Sequence, residues 1–135
     1  MDGDTLLEAA KEAAEKAGGQ VTVVHLRDKR FGYCRGCYGC AEMGVCVQED
    51  DFKDVLALLH EADAVIAAAP VYYNCMDALM LTAVDRLCCT FACKTYPPRA
   101  EKVEVFTGCG AKDTCAGSPG YLRRAAKVGA WAVER

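Results

Sequence analysis

Apolar and polar positions along this chain follow two alternating periods. From Thr5 onward, Leu6, Ala10, Ala13 and Ala17 recur at the spacing of one helical face. Thr5-Leu6-Leu7-Glu8 reads as a capping box at the start of that helix, and Gly18-Gly19 as its end. Val21 to Leu26 is β-rich and predicts a strand. Asp51 stands as the cap of a second helix with Phe52, Val55, Leu59 and Ala62 as its buried stripe. Ala64 to Ala69 is short, wholly apolar and ended by Pro70, the pattern of a strand covered on both faces. A third helix is predicted from about Met76 to Cys89, with Leu79, Ala83 and Leu87 inward. Tyr96-Pro97-Pro98 predicts a turn. Lys102 to Thr107 alternates as a strand, with Val103, Val105 and Thr107 on one side. Tyr121 to Val128 predicts a last helix and Ala130 to Val133 a final strand.

Helices and strands therefore alternate along the chain. That order predicts an α/β fold of parallel strands joined by right-handed crossovers, in a single domain over 1–135. Such folds normally open with a strand, whereas this chain opens with a helix.

Composition narrows the function classes. The 135 residues are 53% apolar and 26% charged, which is a globular balance. The net charge of −3 gives no electrostatic footprint for nucleic acid or an acidic lipid surface. No apolar run reaches the roughly 18 residues a membrane helix needs. Met1-Asp2-Gly3-Asp4 lacks the apolar core of a signal peptide, so the expected location is cytoplasmic. Ten cysteines in a reducing compartment point to metal binding or thiol redox chemistry rather than to a disulfide scaffold.

Four of those cysteines share one glycine-rich loop, Lys29 to Glu49, as Cys34-x2-Cys37-x2-Cys40-x5-Cys46. A loop of that length inside a compact domain is usually functional. Thiolates at this spacing suit a 4Fe-4S cluster, with tetrahedral zinc and unmetallated thiols as the alternatives. Gly36, Gly39 and Gly44 let the backbone bend closely around such a group.

Two further segments follow strands. Pro70-Val71-Tyr72-Tyr73-Asn74 comes directly after the strand ending at Ala69. In open parallel sheets, ligands bind beyond the carboxyl ends of the strands. Two flat aromatic faces and an amide there suit a planar heteroaromatic ring; the alternative is a tight turn with packed tyrosines. Thr107-Gly108-Cys109-Gly110 follows the next strand, where its backbone N–H groups either serve a ligand or only make a turn. The cysteine loop follows Val21–Leu26, so all three segments are expected on one edge of the sheet, as neighbours. The third helix runs back about 20 Å from that edge. Cys88, Cys89 and Cys93 are thus expected to be distant from the loop and buried as small apolar groups. Cys75, Cys109 and Cys115 stand near enough to act as extra redox thiols. His25 and His60 pair with no nucleophile, and Arg123, Arg124 and Lys127 read as a solvated helix face.

Taken in order, Cys34–Cys46, Asp50-Asp51-Phe52, Ala62-Asp63-Ala64, Pro70-Val71-Tyr72-Tyr73-Asn74 and Val84-Asp85-Arg86 resemble the NAD(P)H-dependent FMN reductase and iron–sulfur flavoprotein group. The resemblance is fullest from Asp2 to Arg86. It implies a flavodoxin-like, three-layer open parallel sheet, bound FMN, and electrons from a reduced nicotinamide or a ferredoxin-like carrier. It also implies that Pro70 to Asn74 lie against the flavin ring and that Thr107 to Gly110 flank its other side. In the iron–sulfur members, a compact cysteine motif like Cys34–Cys46 holds a 4Fe-4S cluster.

One departure bears on affinity. Members of that group open with a strand and a phosphate-binding loop ending in Asn-Gly-Asn-Thr. Asp2-Gly3-Asp4-Thr5 stands where that loop should end, leaving Thr5 as the residue matched to the phosphate. Loss of the loop and the charges of Asp2 and Asp4 predict weakened FMN binding. Loss of the first strand predicts that Val21–Leu26 pairs directly with Ala64–Ala69, or that a second copy covers the open edge, giving a homo-oligomer. The sequence thus supports two functions. One is an FMN-dependent oxidoreductase. The other is a non-catalytic iron–sulfur or zinc module on a degenerate flavodoxin-like frame.

Overall fold

Ala-, Glu- and Lys-rich sequence at the start of the chain makes a long first helix, α1 (Asp2–Lys16), in a computed structural model describing residues 2–89, 102–106 and 119–133. Helix α1 begins ahead of the capping box, so Thr5 lies within it rather than at its cap. Asp4 falls in its first turn, where an acidic residue complements the helix dipole. The helix ends as the glycines predict. Gly18 takes a left-handed φ of +91°, and the Gly19 N–H donates to the Ala14 carbonyl at 2.9 Å. The buried stripe is Leu6, Ala10 and Ala14, whereas Ala17 is exposed beyond the last turn.

Two compact units form, one from Met1–Val23, Ala64–Asp77 and Lys102–Arg135, the other from Val24–Asp63 and Ala78–Glu101. In the first, strands β1 (Ala64–Ala68) and β4 (Lys102–Phe106) pair in parallel, from Ala64 against Lys102 to Ala68 against Phe106. Between them in sequence, β2 (Val71–Tyr72) and β3 (Cys75–Met76) make a short antiparallel hairpin. The last helix is α5 (Pro119–Val133). Leu6 and Ala10 of α1 meet Ala125 of α5, with Ile66 of β1, Leu122 and Val128 packed around them. A Cβ on Gly129 would come 1.9 Å from the Ala10 carbonyl oxygen, so only glycine allows the two helices to approach this closely.

Three predicted strand features are corrected. Ala130–Val133 is the end of α5, not a strand. Leu122, Ala125 and Val128 continue a helical stripe up to Gly129, and the contact with α1 favours helix through that stretch. Val21–Leu26 forms no strand: it leads into a 3-10 turn at Leu26–Asp28, and among the described residues it has no ladder partner. Its predicted pairing with Ala64–Ala69 is therefore not made. A β-rich segment becomes a strand only where another backbone accepts its hydrogen bonds. Strand β1 is half-buried along its length rather than covered on both faces.

The second unit is built on α3 (Phe52–Glu61) and α4 (Ala78–Arg86), with the short α2 (Gly39–Met43) inside the cysteine loop. Its core is Phe52, Val55, Leu56, Ala83 and Cys89, with Leu26, Phe31, Cys40, Cys46, Leu59 and Leu87 packed on it. Leu56 rather than Leu59 completes the buried stripe of α3, and Ala62 lies just past its end. Asp51 occupies the cap position without capping; the Phe52 N–H instead donates to Asp50 Oδ1 at 3.2 Å. No helix among the described residues is long and apolar enough to cross a membrane.

Candidate functional site

The first candidate is the β2–β3 hairpin. Tyr72 pairs with Cys75 across it, so Tyr73 and Asn74 are the two turn residues, at φ of 49° and 60°. Two successive positive values define the mirror-image turn that matches the twist of a hairpin. The Asp77 N–H donates to the Pro70 carbonyl at 3.1 Å and ties the base. Asn accepts this conformation readily, but an aromatic residue there is strained by about 1–3 kcal/mol. Neither ring packs inward: Tyr72 is 63% exposed and Tyr73 fully so. The segment is a tight turn whose tyrosines face outward. Pro70, Tyr72, Tyr73 and Asn74 present a strained, open aromatic surface immediately after β1, with Val71 half-buried beneath it. Thr5 is exposed on α1. Thr107, Gly108, Cys109 and Gly110 lie outside the described residues, as do Cys93, Cys115 and the Tyr96–Pro98 turn.

The second candidate is the cysteine loop. Cys34 and Cys37 are exposed, whereas Cys40 and Cys46 are half-buried against the Phe52 core. Left-handed backbone at Gly36, Tyr38 and Gly44 makes the bends, and the Gly44 N–H closes α2 on the Cys40 carbonyl at 3.0 Å. The ends of the loop are stitched together. Arg30 N–H donates to Asp51 Oδ2 at 2.7 Å, Gly32 N–H to Asp50 Oδ2 at 3.3 Å, and Gln48 Nε2 to the Tyr33 carbonyl at 3.2 Å. Cys34 and Gly36 line an open depression with Val84 and Asp85 of α4 and with Cys88 just beyond its end. Cys88 is thus exposed beside the loop, against the expectation that it is distant and buried. The loop folds back over the C-terminal part of α4, which a count of helical rise along one strand edge does not foresee. Cys89 is buried, as expected.

Arg86, quoted above within Val84-Asp85-Arg86 but given no site role there, lies at the neck of this loop. It is 1% exposed. Its Nη1 donates to Asp50 Oδ2 at 2.7 Å and to the Gly32 carbonyl at 2.9 Å. Its Nη2 donates to Asp50 Oδ1 at 3.0 Å and to Cys46 Sγ at 3.3 Å. The guanidinium carbon lies 4.8 Å from the centre of the Phe52 ring. Hydrogen bonds from Arg86, together with the Gly32 and Phe52 N–H groups, hold the Asp50 carboxyl below the ordinary aspartate range despite burial. Burial opposes the charge on Arg86, but the hydrogen bonds to Asp50 and Cys46 outweigh it and raise its pKa. A signal was present in the sequence: an arginine three residues beyond Ala83, on the inward face of an amphipathic helix, needs an acidic partner.

Among the described residues, no three His, Cys, Asp or Glu side chains stand together as a ready metal site. The donor chemistry fits a thiolate-held cluster nonetheless. Four soft sulfur donors occupy one loop closed at its neck, and a guanidinium N–H already addresses one of the sulfurs. His25 and His60 are half-buried, beside the 3-10 turn and in the last turn of α3.

The sequence pattern of the NADPH-dependent FMN reductase family matches residues 3–132, nearly the whole chain. The chain belongs to the NADPH-dependent FMN reductase family. An iron-sulfur flavoprotein of Archaeoglobus fulgidus is 36% identical over 129 residues, which is 95% of this chain and 56% of that protein. An iron-sulfur flavoprotein of Methanocaldococcus jannaschii is 33% identical over 87 residues, 63% of this chain and 45% of that one. This FMN reductase family member thus spans about half the length of the curated relatives it matches. No solved structure matches it. The family implies a flavodoxin-like α/β fold, and the mixture of helix and strand, with β1 and β4 parallel, agrees with it.

Proposed function

We propose that this chain is an FMN-dependent oxidoreductase that passes electrons between a reduced nicotinamide or small electron carrier and an acceptor, on a single flavodoxin-like domain. The observation that carries this reading is the solvent-facing, strained tyrosine hairpin after β1, in a chain matched by the FMN reductase family over 3–132. Pro70, Val71, Tyr72 and Tyr73 offer the stacking surface, and the Asn74 amide offers hydrogen bonds to a ring edge. Thr107, Gly108, Cys109 and Gly110, next in sequence after β4, are assigned to the other side of the flavin, and Thr5 to the phosphate end. Cys34, Cys37, Cys40 and Cys46 hold a 4Fe-4S cluster, for which zinc is the competing occupant. When bound, FMN exchanges electrons singly or in pairs and the cluster exchanges them singly. The chain's part is to bind, orient and shield; no acid–base side chain is assigned.

Two further properties belong to this proposal. The ten cysteines of the chain suit a reducing, cytoplasmic compartment. Strand β1 pairs along one edge only among the described residues, which favours a homo-oligomer that covers the other.

A second reading has one observation in its favour. Asp4 places an acidic side chain in the first turn of α1, a poor surround for a phosphate dianion. On that reading the chain is a cysteine-rich metal module without flavin. Anaerobic purification followed by an ultraviolet–visible spectrum, iron, sulfide and zinc counts, and FMN titration separates the two. The expected result is flavin absorbance with about four irons per chain when one cluster is bound. Stoichiometric zinc, no response to FMN and no NAD(P)H oxidation would select the module instead.

A further inference from the structure

Arg86 joins three points of the cysteine-loop unit that lie far from it in sequence. Gly32 stands two residues before Cys34, Cys46 is the last cysteine of the motif, and Asp50 lies just beyond it. One buried guanidinium donates to all three: the Gly32 carbonyl, Cys46 Sγ and both oxygens of Asp50. Asp50 in turn accepts from the N–H groups of Gly32 and Phe52, so the neck is fastened to the start of α3. The remaining guanidinium nitrogen, Nε, is buried with no hydrogen-bond partner among the described residues. A side chain held at the cost of an unsatisfied donor is there for more than filling space.

We propose that Arg86 is the positioning residue of the cysteine loop: it clamps the neck shut and fixes Cys46 by an N–H···S hydrogen bond, holding the loop ends and one ligand sulfur ready for an iron–sulfur cluster on which the other thiols then gather. The inference rests on the cluster reading above. Two consequences follow from the geometry. With the neck closed in advance, less loop freedom is lost when the four thiols gather on one centre. A cationic donor at a ligand sulfur also stabilises the more negative, reduced form of the cluster, so it raises the reduction potential.

The test is anaerobic cluster reconstitution of the full chain, as wild type, Arg86→Lys, Arg86→Met and the double variant Asp50→Asn/Arg86→Met. The double variant removes both buried charges together, so it keeps the test meaningful if Arg86→Met alone fails to fold. Far-ultraviolet circular dichroism checks each fold. Iron and sulfide counts give occupancy, and a redox titration gives the midpoint potential. In folded variants lacking the guanidinium, cluster retention is expected to weaken about tenfold or more, the usual effect of losing a partner that orients a metal ligand. The remaining cluster is expected at a lower potential than in wild type. A lysine cannot span the carbonyl, the carboxylate and the sulfur at once, so Arg86→Lys keeps the charge without restoring retention. A folded double variant with wild-type occupancy and potential overturns the clamp while leaving the cluster reading intact. A wild-type chain that takes up no cluster overturns both.

Discussion

At the residue scale, Tyr73 and Asp50 illustrate two ways in which a single position departs from the easy choice. Tyr73 takes a left-handed turn position that asparagine or glycine fills without strain. Replacing it with Asn is expected to stabilise the chain by about 0.5–1 kcal/mol in chemical unfolding, as the strain is released. The same change removes a flat, exposed ring, so FMN titration should show weaker binding. A variant that gains stability and binds FMN unchanged would show that the ring is dispensable. Asp50 carries its charge in a half-buried setting because Arg86 faces it. Its folded pKa is depressed, so the unfolded chain binds the proton more readily. The stability it contributes is complete above the unfolded value near ~4 and is lost as pH falls through the folded value. Asp50→Asn leaves Arg86 buried without its countercharge and replaces one acceptor oxygen by an NH2 donor, and should cost about 3 kcal/mol at neutral pH. Urea unfolding at pH 7 and at pH 3 should show the gap from wild type narrowing in acid; a gap that stays constant sinks the assignment.

At the scale of elements, the two long helices pack closely against each other. Helices α1 and α5 touch backbone to backbone at Ala10 and Gly129, a separation that a single methyl group prevents. Gly129→Ala is therefore expected to push the helices apart and cost about 1–3 kcal/mol, read as a lowered melting temperature. Gly18→Ala is a useful contrast. Its Cβ would meet nothing within 4 Å, yet its φ of +91° is left-handed, so the cost is conformational. A smaller loss of about 1 kcal/mol is expected there. Equal losses at the two sites would argue against helix contact as the cause. The cysteine loop shows a related logic. Its irregular backbone is held by side-chain and backbone hydrogen bonds at the neck rather than by a sheet ladder.

At the scale of the molecule, the two candidate sites fall in different compact units. The tyrosine hairpin belongs to the unit built on α1, β1 and α5, and the cysteine loop to the unit built on α3 and α4. Strand β1 has one partnered edge among the described residues, and a row of free backbone donors and acceptors tends to recruit another chain. Light scattering coupled to size exclusion is expected to report a dimer or larger assembly. A monomer at every concentration tested would remove the oligomer from the proposal.

The sequence alone determined the features that depend on local chemistry. Cysteine spacing, the glycine stop after α1, the apolar stripes of Leu6–Ala10 and Phe52–Val55, and the Pro-Val-Tyr segment were all legible in order along the chain. Family resemblance was legible too, because it lives in that same order. Tertiary structure alone decided whatever needs a partner distant in sequence. Val21–Leu26 has strand composition, but a strand exists only where a second backbone completes the ladder. Ala130–Val133 is apolar enough for a strand, yet contact with α1 favours helix up to Gly129. Arg86 reads as one charge on a helix until folding brings Gly32, Cys46 and Asp50 around it. Period and composition record what each residue prefers by itself, whereas a buried charge or a sheet edge acquires its meaning from the groups that meet it.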